Sequence, residues 1–185
     1  MSPIPLRALS LLLAVVALGA CSSSRFYDVR YRPAPLEAEV ATQAVAGAQV
    51  RALVTVLGIE RGREGSPDRA LVRMRLENLG TAAAVLETES LGLVSGDLVA
   101  FGAVAVSPSE IRGISGGESA VYDLAFALPQ GRRARDLDLS GLNLRFTVRF
   151  GEHPVTTGAT FQRLEWGYWD PGPRWHVGFG YAWTR

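Results

Sequence analysis

The chain is 185 residues long, carries nineteen arginines and no lysine, and sets them against eighteen Asp and Glu for a formal charge of +1. Without lysine there is no Schiff-base amine, no Walker-type phosphate lysine and no Ser–Lys dyad, and near-neutrality supplies no net basic field to recruit nucleic acid or anionic lipid. At this length one ordinary domain buries a core of its own without cross-links.

The N-terminus reads as an address. Arg7 precedes an apolar run over residues 9–18, and Leu18-Gly19-Ala20-Cys21 closes it with small residues and the only cysteine of the chain. A positive n-region, an apolar h-region and a small-residue site mark residues 1–20 as a secretory signal peptide, the run being too short for a comfortable membrane span. Leu18-Gly19-Ala20-Cys21 resembles the lipobox of bacterial lipoproteins, in which signal peptidase II cuts before the cysteine. The resemblance implies that Cys21 becomes the first mature residue and carries a diacylglyceryl thioether and an N-acyl chain, so that the membrane is a partner through those chains. Two or more acyl chains attach stably, at about 0.8 kcal/mol per buried CH₂. Ser22 stands where inner-membrane lipoproteins of enteric-type bacteria usually have Asp. By that sorting rule the resemblance implies the outer membrane, with the domain facing the periplasm. An acylated Cys21 leaves no free thiol, which excludes disulfides, thiolate metal sites and cysteine nucleophiles. Loss of Arg7 with the signal leaves eighteen arginines against eighteen acids.

Residues 21–48 have no clear period. Ser22-Ser23-Ser24 and Arg32-Pro33-Ala34-Pro35 suggest a tether, and the alanine-rich stretch 36–48 is either a short helix or extended. From Val50 the period is two: Val50, Ala52, Val54 and Val56 alternate with Arg51 and Thr55. After a polar loop over residues 61–69, Val72, Met74 and Leu76 alternate with Arg73, Arg75 and Glu77, the pattern of a strand with one wet face. Asn78-Leu79-Gly80-Thr81 supplies a turn. Residues 85–94 continue as a strand, and Ser95-Gly96-Asp97 turns into a short strand over 98–101.

Residues 113–118 form a glycine-serine turn, after which Tyr122, Leu124, Phe126 and Leu128 face inward until Pro129 stops the run. Arg132 to Arg135 is a basic loop. Leu142, Leu144, Phe146, Val148 and Phe150 alternate with Asn143, Arg145, Thr147 and Arg149, and Gly151-Glu152-His153-Pro154 leads as a hairpin into 155–161. About seven short strands at this spacing give an all-β, antiparallel sandwich of immunoglobulin-like kind over residues 49–163. The strand-Asn-turn order of residues 73–80 and the Gly116-Gly117-Glu118-Ser119 turn feeding an aromatic strand resemble the Ig-like domains of bacterial envelope lipoproteins. That resemblance implies a fold and no particular activity.

Candidate chemistry is sparse. Gly113-Ile114-Ser115-Gly116-Gly117 fits the G-x-S-x-G nucleophile elbow, and Ser115, Asp170, His176 is a permitted hydrolase order. The elbow needs a strand-to-helix turn, however, and the segment after Ser115 alternates as a strand. Asp136 and Asp138 would share one face of a strand, but Arg132, Arg133 and Arg135 beside them indicate a charge-balanced solvated edge. A calcium site would need more oxygens at fixed spacing. His153 and His176 lack partners at a metal-ligand spacing, and Met74 belongs to a core-facing position. No cofactor or metal is expected, and the chain is not expected to be an enzyme.

The tail, residues 164–185, holds Trp166, Tyr168, Trp169, Trp175, Phe179, Tyr181 and Trp183, including every tryptophan of the chain. These aromatics either pack on the sandwich, form a contact surface for an envelope protein, peptide or glycan, or sit at the headgroup level of the membrane. The expectation is therefore a lipid-anchored, non-catalytic structural or interaction module, with glycan or peptide capture through the tail as the alternative.

Overall fold

The computed structural model describes residues 26–164 apart from 28, 35, 36 and 64. Within them, side chains that alternate between apolar and polar assemble nine strands: β1 Tyr31–Ala34, β2 Glu37–Ala41, β3 Gln49–Glu60, β4 Arg69–Asn78, β5 Ala84–Ser95, β6 Val104–Ser107, β7 Ser119–Ala127, β8 Gly141–Phe150 and β9 His153–Arg163. They lie in two sheets, β1-β9-β8-β5 and β2-β3-β4-β7-β6. Every neighbouring pair is antiparallel.

The order β3-β4-β7-β6 facing β9-β8-β5 is the ABED and GFC arrangement of an immunoglobulin constant-type sandwich, with β3 to β9 in the places of A to G. The two N-terminal strands extend it, β2 on the free edge of β3 and β1 on the free edge of β9. Period-two alternation puts one face of each sheet into a shared core. Met74, Leu76, Tyr122 and Phe126 from one sheet and Phe146, Phe150 and Phe161 from the other are all essentially inaccessible to water. Each such side chain contributes about 1.5–3 kcal/mol of burial free energy.

Several expectations are corrected. The stretch read as tether through residue 48 contains β1 and β2, so the sandwich begins at Tyr31. Its period is real but faint, because Glu37, Ala38, Glu39 and Val40 alternate exposed and buried with small apolar groups. Residues 98–101 are not a strand. Leu98 takes a positive φ of 61°, and only Ala100 makes a bridge, to Val94. The D position of the sandwich is filled by β6, whose half-buried Val104 and Val106 give little sequence contrast. Asp136 and Asp138 are not on a strand either. Asp136 closes a single 3₁₀ turn, Ala134–Asp136, by accepting a hydrogen bond from the Arg133 backbone N–H at 2.8 Å, and Asp138 accepts one from the Ser140 N–H at 2.9 Å.

At one end of the sandwich, Asn78 ties the β4–β5 turn to the β6–β7 connection. Its buried amide donates to the Ala82 carbonyl at 2.7 Å and the Ile114 carbonyl at 2.8 Å, while its oxygen accepts from the Gly80 N–H at 3.0 Å. Gly80 is required here. A Cβ at that position would fall 1.8 Å from the Gly47 carbonyl oxygen, so only glycine lets the two turns touch.

Candidate functional site

Cys21 and the aromatics Trp166, Tyr168, Trp169, Trp175, Phe179, Tyr181 and Trp183 lie outside the described residues, as do Asp170 and His176. The structure does describe the segments that lead to them, and it brings both to one end of the sandwich. Phe26 bridges Glu60 at the end of β3, and the Tyr27 N–H donates to the Ile59 carbonyl at 2.9 Å. Tyr31 pairs with Arg163, and the Leu164 N–H donates to the Arg30 carbonyl at 2.9 Å. The N-terminal segment and the start of the tail therefore leave the domain side by side.

Asp68 organises this end. It is 2% exposed, and its carboxylate accepts hydrogen bonds from the Gly62 N–H at 2.9 Å, the Ala134 N–H at 3.1 Å and the Tyr27 hydroxyl at 2.9 Å. Three segments distant in sequence are thereby clamped to one side chain: the N-terminal entry, the β3–β4 loop and the β7–β8 loop. Burial opposes the charge on Asp68, but the hydrogen bonds from Gly62, Ala134 and Tyr27, with the nearby Arg133 guanidinium, hold its carboxyl below the ordinary value. Tyr27 is pushed up first by burial and then by its bond to Asp68. The Arg61 guanidinium lies 4.6 Å from the centre of the Tyr27 ring, a cation–π contact that adds the β3–β4 loop to the entry segment.

Beside this clamp a cleft of about 870 Å³ runs between Tyr27, Val29, Leu137, Leu139, Arg163 and Leu164. Tyr31 supports its floor: the ring is buried and its hydroxyl donates to the Leu139 carbonyl at 3.0 Å. Burial pushes the Tyr31 hydroxyl up to about 12, so it remains a neutral donor at any ordinary pH.

The loops around the clamp are rich in guanidinium groups. Arg61, Arg63 and Arg69 come from the β3–β4 connection and the start of β4, and Arg132, Arg133 and Arg135 from the β7–β8 connection, all exposed. Arg30 and Arg163 add two more where the chain enters and leaves. The described carboxylates of this end are Glu60, Asp97, Asp136 and Asp138 together with buried Asp68. At the opposite end the connecting loops carry Arg112 against Glu110, Glu118 and Glu152. The sandwich is thus polarised along its strands, which the near-zero balance of the whole chain conceals.

The other candidates have local roles. Ser115 sits in the turn between Ile114, which bridges Ala84, and the start of β7, and its N–H donates to Glu118 at 3.1 Å. It is a turn between strands, without the strand-to-helix geometry of a nucleophile elbow. His153 is exposed at the tip of the β8–β9 hairpin opposite Phe150. Met74 is fully buried in the core. Among the described residues no three His, Cys, Asp or Glu side chains come together to hold a metal ion. Asp68 was hidden in the sequence inside a polar loop, and only Pro67 before it hinted at a fixed turn. No protein-family model matches the chain, and no curated protein is similar to it.

Proposed function

We propose that this protein is a lipid-anchored module of the bacterial cell envelope, with Cys21 as the acylated residue and the Ig-like sandwich as a non-catalytic structural or interaction domain. The observation that carries the reading is Leu18-Gly19-Ala20-Cys21 at the end of an apolar run that begins two residues after Arg7. The brief interval between Cys21 and Phe26, the first residue held on the sandwich, supports it, because such a link suits an anchor that keeps the domain at a membrane surface. The outer membrane and a periplasmic orientation follow from Ser22. Recognition of an envelope protein or glycan belongs, in this reading, to the sandwich and the aromatic tail.

The decisive measurement is the mass of the N-terminal peptide of the native product. A peptide beginning at Cys21 with a diacylglyceryl thioether and an N-acyl chain is expected, and Cys21→Ser abolishes it. An uncleaved, unmodified N-terminus sinks the reading. Crosslinking and pull-down in cells, with and without residues 164–185, then asks whether the tail carries the contacts. Partners lost on truncation assign recognition to the tail, and unchanged partners assign it to the sandwich.

A further inference from the structure

We infer that the arginine-bearing end of the sandwich docks on the anionic headgroups of the leaflet that holds the acyl chains, so that the domain stands on the membrane with its strands pointing away. The inference rests on the anchored reading of Cys21 and adds to it an orientation and a lipid chemistry. Three observations carry it.

The first is reach. Phe26, which is fixed to Glu60 at the end of β3, lies five residues after Cys21. Fully extended, that stretch spans at most about 18 Å. The domain therefore has no long tether, and the end nearest the anchor is the one built by Phe26, Tyr27, the β3–β4 loop and the β7–β8 loop. A ten-residue strand such as β8 carries the opposite loops about 33 Å farther away. Screening in physiological salt acts over about 8 Å, so only the near end lies within range of the surface potential.

The second is charge. The near end presents eight exposed arginines against five described carboxylates, of which Asp68 is buried and saturated by hydrogen bonds, whereas the far loops present one arginine against three. The planar guanidinium forks of Arg63, Arg132 and Arg135 suit bidentate contacts with phosphodiester oxygens. Neighbouring Asp136 and Asp138 spend acceptor capacity on the backbone N–H groups of Arg133 and Ser140.

The third is rigidity. Asp68 and the stacking of Arg61 on Tyr27 lock the entry segment to both arginine-bearing loops. The guanidinium groups are thus presented as one surface and not as separate mobile loops.

The test uses the full acylated protein in vesicles, with a spin label on a cysteine introduced at exposed Ser66 or exposed Ser109, Cys21 being blocked by its acyl chain. In vesicles of phosphatidylglycerol and phosphatidylcholine, a lipid-borne nickel chelate should relax the label at residue 66 and spare the one at 109. In pure phosphatidylcholine the contrast should fade. Each of R63Q, R132Q and R135Q should lower the docked-to-undocked ratio about fivefold, with unchanged thermal unfolding because all three side chains are exposed. Equal relaxation at the two positions, or a contrast indifferent to phosphatidylglycerol, overturns the proposal while vesicle flotation still supports the anchor. A protein that does not float with vesicles overturns both.

Discussion

At the scale of single residues, two buried polar side chains hold the loops at the two ends of the sandwich. Asp68 gathers three donors from separate segments. Asp68→Asn keeps the size but replaces one acceptor oxygen with a donor, so at least one N–H or O–H faces another donor in a buried site. We expect a loss of about 2–3 kcal/mol, seen calorimetrically as a drop of about 5–10 °C in Tm. The pH dependence has a definite sign. Folding holds the Asp68 carboxyl below its ordinary 3.8, so the unfolded chain takes up the proton first. The stabilisation is fully present above about pH 4 and disappears as pH falls through the lower folded value. The difference between wild type and Asp68→Asn should therefore shrink in acid. A gap that stays constant into strong acid would show that the charge of Asp68 is irrelevant. Asn78 does the equivalent work at the far end, and Asn78→Ala leaves the Ala82 and Ile114 carbonyls without their donor. The expected cost is about 2 kcal/mol, measured as a lower urea midpoint with an unchanged m-value. A changed m-value would point instead to a looser native or denatured state.

At the scale of elements, legibility followed side-chain contrast. β4, β7 and β8 were plain in the sequence because large apolar residues alternate with charged or polar ones, as in Val72 to Glu77 and Leu142 to Phe150. β1, β2 and β6 escaped because they are four or five residues long, with alanine, proline and valine in place of larger groups. Short edge strands need only weak burial, and Pro33 on β1 suits an edge where one side makes no ladder. The arginine face was illegible for a different reason: net charge is a sum over the chain, whereas which loops share an end is a property of the topology. β1 owes its place chiefly to Tyr31, buried and bonded to Leu139. Tyr31→Ala should cost about 3–5 kcal/mol and release β1, so that amides on the β1 side of β9 lose hydrogen-exchange protection. Tyr31→Phe, which removes only the hydroxyl, should cost about 1 kcal/mol and leave that protection in place. If β9 stays protected in Tyr31→Ala, something other than the Tyr31 ring holds β1 on the edge.

At the scale of the whole molecule, the first strand lies beside the last, and this governs both its anchoring and its folding. Tyr31 opposes Arg163, and the Leu164 N–H bonds the Arg30 carbonyl, so the two ends of the described chain are already neighbours. A few glycine and serine residues joining residue 164 to residue 29 would close the chain with little strain. The β6–β7 connection at Ser109 and Glu110 is exposed and belongs to no strand, which makes it the place to open a circular permutant. Every strand pair survives that cut. The β1–β9 contact becomes local, and the β6–β7 contact becomes distant. Closure entropy grows only logarithmically with loop length, by about 0.6 kcal/mol for each doubling. The permutant should therefore unfold cooperatively within about 2 kcal/mol of the natural order, as read from urea denaturation. Opening instead inside the β3–β4 loop, between Gly62 and Asp68, breaks the covalent path between two members of the Asp68 clamp and should cost more. Equal stability of the two permutants would mean that the clamp is a consequence of the fold and contributes nothing to holding that end together.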